Sequence, residues 1–179
     1  MKCLCIIVIM LFVPAICHAD EARLQKFDDL KFSIECRQGY EAKRMAGAFA
    51  NTVGVVLSRE AENKKFKPNI AISSTPNSNP PADLDTFFNL NLLYCLKDPN
   101  FRLLLAEKTK MGDKEIYQLV YKQKAVLQDS NNTIVPIKVV QVYVIGPSRV
   151  YFVNYSAAED DFNAYLAAAN EIINSFKIL

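Results

Sequence analysis

Residues 137–156, Ile-Lys-Val-Val-Gln-Val-Tyr-Val-Ile-Gly-Pro-Ser-Arg-Val-Tyr-Phe-Val-Asn-Tyr-Ser, decide the fold class. The runs 137–145 and 149–156 are rich in Val, Tyr and Phe, which suit a pleated, half-buried surface. The short link Gly146-Pro147-Ser148 suits antiparallel neighbours. Val140, Val142 and Val144 share one strand parity, and Val139, Tyr143 and Ile145 share the other. Both faces are therefore apolar, and the expectation is an antiparallel sheet covered on both sides rather than an open one.

Toward the C-terminus, Ser156-Ala157-Ala158-Glu159 reads as a capping box, with Asp160 and Asp161 adding favourable charge at a helix start. Phe162, Tyr165, Leu166, Ala169, Ile172, Ile173 and Phe176 then recur as one helical stripe. Glu159, Asp160 and Asp161 could also serve as paired carboxylates, but the helix start already accounts for them.

Toward the N-terminus, strands are expected over 101–110 and 115–124, joined at Met111-Gly112-Asp113-Lys114, where Gly112 tolerates positive φ. Before them Leu84, Phe87, Phe88, Leu92 and Cys95 fall at helical spacing, with Asp83 as N-cap and Pro99 as a stop. The Pro-, Asn- and Ser-rich stretch 73–81 reads as a connecting loop. Three short strands precede it, at Phe32–Cys36, 49–58 and 69–74, with Gly39 in the turn after the first. Lys64, Lys65 and Lys67 read as a solvated connection rather than an anion site.

The first residues read as an export signal. Lys2 gives the positive start, Cys3 to Val13 an apolar run short for a membrane span, and Pro14 a break. Cys17-His18-Ala19 places small residues where a signal peptidase cuts after Ala19. A lipidated Cys17 is the rival reading, opposed by the bulky Ile16 before it, and an uncut anchor is a third. Of 179 residues, cleavage leaves 20–179, the length of one domain with a substantial core. Without Lys2, the 21 basic side chains become 20 against 19 acidic ones. Such a balance makes no case for nucleic acid. The only histidine, His18, departs with the signal. Histidine triads and imidazole metal sites are then excluded.

Several stretches carry a family resemblance. They are Phe32-Ser33-Ile34 leading to Gly39-Tyr40, Asn69-Ile70-Ala71-Ile72, Leu84-Asp85-Thr86-Phe87, the run from Gly112 to Tyr121, and the closing Ile172-Ile173-Asn174-Ser175-Phe176-Lys177-Ile178. Over nearly the whole mature chain the sequence resembles the PsbP-like family, which includes extrinsic photosystem proteins, bacterial exported relatives and a Ran-binding protein. The resemblance implies an α+β fold, an α/β/α sandwich around a central antiparallel sheet. It implies no reaction, because its motifs are fold signatures. Relatives often show Tyr-Pro-x-Gly-Trp where Glu35-Cys36-Arg37-Gln38-Gly39-Tyr40 stands here, and this chain has no tryptophan. No photosynthetic role, metal or cofactor is carried over.

Cys3, Cys5 and Cys17 belong to the signal, leaving Cys36 and Cys95. Both are expected to point inward, either bridged in an oxidising compartment or as two separate thiols. Their spacing is not that of a redox pair. Tyr117, Tyr121, Tyr143, Tyr151 and Tyr155 alternate on neighbouring strands and are expected to line one sheet face, packed beneath a helix or forming a ligand or partner surface. The sequons at Asn131 and Asn154 matter only in a glycosylating host. Five scattered glycines form no phosphate loop. The expectation is a non-catalytic exported (periplasmic or secreted) accessory protein that docks on an envelope protein or assembly through a loop or sheet edge. The alternative is a carrier of a small apolar or amphipathic ligand on the tyrosine face. An enzyme working through Lys, Tyr, Ser or carboxylates is the third reading, with no positioned cluster to announce it.

Overall fold

The computed structural model describes residues 22–37, 40, 42–45, 51–57, 66–77, 83–127 and 132–179. The export signal and Cys17, Gly39, Lys64, Lys65, Asn131 and the tip of the 73–81 loop lie outside the described residues. The strands are β1 (Arg23–Phe27), β2 (Phe32–Cys36), β3 (Ala42–Arg44), β4 (Thr52–Val56), β5 (Asn69–Pro76), β6 (Arg102–Met111), β7 (Lys114–Val126), β8 (Ile134–Ile145), β9 (Arg149–Ala158) and β10 (Lys177–Ile178). The helices are α1 (Leu84–Cys95) and α2 (Phe162–Asn174).

Seven strands form one antiparallel sheet in the order β3-β4-β5-β9-β8-β7-β6, and β1-β2-β10 form a small second sheet. The hairpins are local. The β6–β7 turn pairs Met111 with Lys114, and Gly112 alone of its two central residues has positive φ, at 63°. That is the pattern of a II′ turn, which matches strand twist. In the β8–β9 turn the Gly146 N–H donates to the Arg149 carbonyl at 2.8 Å.

Because both faces of the large sheet are apolar, each has a cover. On one, Val140, Val142, Val144, Tyr151, Val153 and Tyr155 pack with Phe32 and Ile34 of β2 and Phe162, Ala169, Ile172 and Ile173 of α2. On the other, Leu119, Tyr121, Ile137, Val139 and Tyr143 pack against Phe88 of α1. The large sheet thus lies between α1 on one side and α2 with the small sheet on the other, an α/β/α sandwich. The α2 stripe read from sequence is the stripe that is buried: Phe162, Ala169, Ile172, Ile173 and Phe176 are inside, with Tyr165 and Leu166 half-buried.

Asp83 caps α1 as expected, its carboxylate accepting the Thr86 N–H at 2.8 Å. The expected capping box before α2 does not form. Ser156 lies inside β9, paired with Val139, and the helix starts at Phe162, where the Asp161 side chain makes no capping hydrogen bond. Pairing with β8 as far as Ala158 outweighs the local cap preference. Glu159 turns instead to Lys122 of β7 and forms a half-exposed ion pair.

Candidate interaction surface

The five tyrosines do not share a face. The register Tyr117↔Tyr143 puts Tyr117, Tyr121 and Tyr143 together, but Tyr143 pairs with Phe152 across β8 and β9. Tyr151 and Tyr155 therefore point the other way, into the α2 side. They serve as structural anchors there. The Tyr155 hydroxyl donates to the Phe162 carbonyl at 2.7 Å, and the Tyr151 hydroxyl lies 3.1 and 3.0 Å from the carbonyls of Leu30 and Lys31.

The three tyrosines on the other face are filled over by aromatic rings. Phe88 stacks on Tyr117 at 3.8 Å between centroids and meets Tyr143 edge-on at 5.5 Å. Phe101 lies 4.7 Å from Tyr121, and Phe87 and Phe152 close the cluster. The Tyr143 hydroxyl donates to Gln141 Oε1 at 2.8 Å. Burial pushes the Tyr121 hydroxyl up to about 12 and Tyr143 well above its ordinary range. These phenols are neutral packing groups at physiological pH.

The Cys36–Cys95 bridge is not present, and both thiols are free. Cys36 is fully buried in the α2-side core, while Cys95 lies on α1, which covers the opposite face. The large sheet stands between them. Burial pushes the Cys36 thiol up to about 11 and, with the charge of Asp98 adding to it, raises Cys95 as well. Neither has the thiolate character of a reactive cysteine. Among the described residues no group of three or more His, Cys, Asp or Glu side chains converges on a point that could hold a metal.

What the sequence reading missed is the outer side of α1. The helix packs Phe88, with the half-buried Leu84, Phe87, Leu92 and Cys95, toward the sheet, yet it carries a second apolar stripe at i, i+3 and i+4: Leu90, Leu93 and Tyr94. These are 63%, 60% and 78% exposed, and Leu96 after the helix end is also out. A surface helix ordinarily presents one apolar stripe and a polar back. α2 follows that rule, with Asn163, Asn170, Glu171 and Asn174 outward. α1 does not. Leu103 of β6 pairs with Tyr121, and Leu104, unpaired at the register shift between Leu103 and Leu105, is exposed together with Leu105.

The helix is held in place at its first turn. Lys108 Nζ of β6 lies 2.9 Å from Asp85 and 3.4 Å from Glu115, and it sits over the Tyr117 ring. Hydrogen bonds from Lys108 and then Tyr117 hold the Asp85 carboxyl below its ordinary range. The exposed stripe thus rides on a positioned element.

The sequence matches no protein-family model and no curated protein. Solved structures do match. The solution structure of cyanobacterial PsbP (CyanoP) from a Synechocystis species aligns over 89% of this chain and 94% of its own, at 12% identity and a TM-score of 0.62. The chain has the PsbP-like fold. LpqN, described as involved in cell envelope biogenesis of Mycobacterium tuberculosis, aligns over 90% of this chain and 87% of its own, at 14% identity and a TM-score of 0.61. The Saccharomyces cerevisiae Ran-binding protein Mog1p has 10% identity over 89% and 96%, with a TM-score of 0.51. At such identities the PsbP-like likeness establishes architecture and carries no site residue across.

Proposed function

We propose that this protein is a non-catalytic accessory protein of the cell envelope, exported by residues 1–19 and cut after Ala19, with 20–179 as the working domain. It docks on a protein partner through the outer stripe of α1. The single observation that carries this reading is the pair of apolar stripes on one helix. The inner one is satisfied by the sheet, and the outer one leaves Leu90, Leu93 and Tyr94 more than half exposed. Clustered exposed aromatic and aliphatic side chains with polar surroundings are what interface centres are made of. A Ran-binding protein and an envelope-biogenesis protein sharing the fold support an interaction role in kind, without supplying the partner. The tyrosines favour no carrier, because the rings on the α1 side are packed against one another.

The test is affinity purification from the native envelope after mild crosslinking, with wild type beside Leu90→Glu/Leu93→Glu. The reading expects one reproducible protein with wild type, lost in the variant while its folding is unchanged. Equal recovery by both would remove the α1 surface from the account.

A further inference from the structure

A cavity of about 370 Å³ lies away from α1, between the β6–β7 turn and the end of the chain, lined by Met111 to Lys114 and by Asn174, Phe176, Lys177 and Ile178. Its walls differ in chemistry. Phe176 is 5% exposed and belongs to the core, and Met111 and Ile178 pack against that same core, so the floor is apolar and fixed. The rim carries the exposed Lys114 and Lys177, with Asp113 and Asn174 as the other polar groups. Lys177 reaches Glu35 only at 3.9 Å, and Lys114 has no ion pair among the described residues. Among the lining side chains two lysines stand against Asp113, and Lys114 is the one whose charge no carboxylate of the described residues pairs. Both walls are rigidly held: Gly112 sets the II′ turn on one side, and β10 pairs Lys177 with Ser33 and Ile178 with Phe32 on the other.

We propose that this cavity binds a small amphipathic carboxylate, its apolar body on Met111, Phe176 and Ile178 and its anionic head at Lys114 and Lys177. The volume lies at the low end of ligand sites, which suits a medium-length chain or single ring and not a two-chain lipid. An apolar floor with the unpaired Lys114 and the loosely paired Lys177 at its rim selects for one negative charge at one end of the ligand. The site is independent of the α1 docking surface, and either can fail alone.

The test titrates the purified protein with decanoate, decanol and decyltrimethylammonium, each below its micellar concentration, following the Met111 and Ile178 methyl signals by NMR. Saturable shifts at these methyls are expected, tightest for decanoate. In Lys114→Ala/Lys177→Ala decanoate should weaken about two- to thirty-fold, the range for two exposed charge pairs, and fall to the level of decanol. Because both lysines are exposed, that variant should keep its melting temperature. Met111→Asp, which puts a charge on the floor, should weaken all three probes. The absence of saturable shifts, equal affinity for the three head groups, or shifts confined to the α1 side would each overturn the assignment.

Discussion

Tyr155 is buried, and its hydroxyl reaches the carbonyl of Phe162 at the first turn of α2, so it joins a central strand to the helix that covers it. Tyr155→Phe removes this bond and leaves the Phe162 carbonyl only its place in the α2 ladder, and a loss of about 0.5–1.5 kcal/mol in unfolding free energy is expected, read from the urea midpoint. Lys31 offers the opposite case. It adopts φ of 59°, and its carbonyl accepts the Leu179 N–H at 2.9 Å. Lys31→Gly relieves the left-handed strain and should be neutral or stabilising by up to about 1 kcal/mol in the same assay. Ionisation adds a pH dependence. Tyr121 is raised to about 12 and Cys36 to about 11, above their ordinary values near 10 and 9. Folding thus favours their protonated forms, and the stability they contribute is complete below those ordinary values and lost as pH rises through the folded ones. The urea midpoint should fall steadily between about pH 9 and 12; a flat profile over that window would contradict the burial of these groups.

At the scale of elements, the turns were the most legible part of the sequence because their chemistry is local. Gly112 and the Gly146-Pro147-Ser148 link each set a hairpin that the structure contains. A Cβ on Gly146 would come within 3.1 Å of Ile178 Cδ1 and 3.2 Å of Tyr151 Cε2, so Gly146→Ala should destabilise by about 1–3 kcal/mol, as overpacking does. The capping box failed because Ser156 answers to β8, a partner no local window contains. The tyrosine face failed for a related reason. Alternation places Tyr151 and Tyr155 on one side of β9, but only the β8–β9 register says that this side is opposite to Tyr143. β3 and β10, of three and two residues, leave too short a pattern to read, and β1, Arg-Leu-Gln-Lys-Phe, is mostly polar and shows no buried face. The second stripe of α1 was visible as Leu90, Leu93 and Tyr94 at helical spacing. One apolar face already satisfies a surface helix, so a second adds nothing to the helical pattern.

For the whole molecule, the two covers of the sheet divide the labour. α2 and the small sheet seal one face with the larger core, whereas α1 seals the other and turns apolar side chains outward as well. Among the described residues β6 is an outer strand of the large sheet, and a register shift with Lys108 and Lys110 guards that edge, devices that discourage strand pairing. Docking through the outer stripe of α1 is therefore favoured over strand addition at that edge. The most direct measurement is photocrosslinking in the native host from a reactive residue placed at Tyr94, compared with one at Asn170 on the polar side of α2. The account predicts a single defined protein adduct from position 94, none from 170, and its loss with Leu93→Glu. An adduct of equal strength from both positions, or none from position 94, would contradict it.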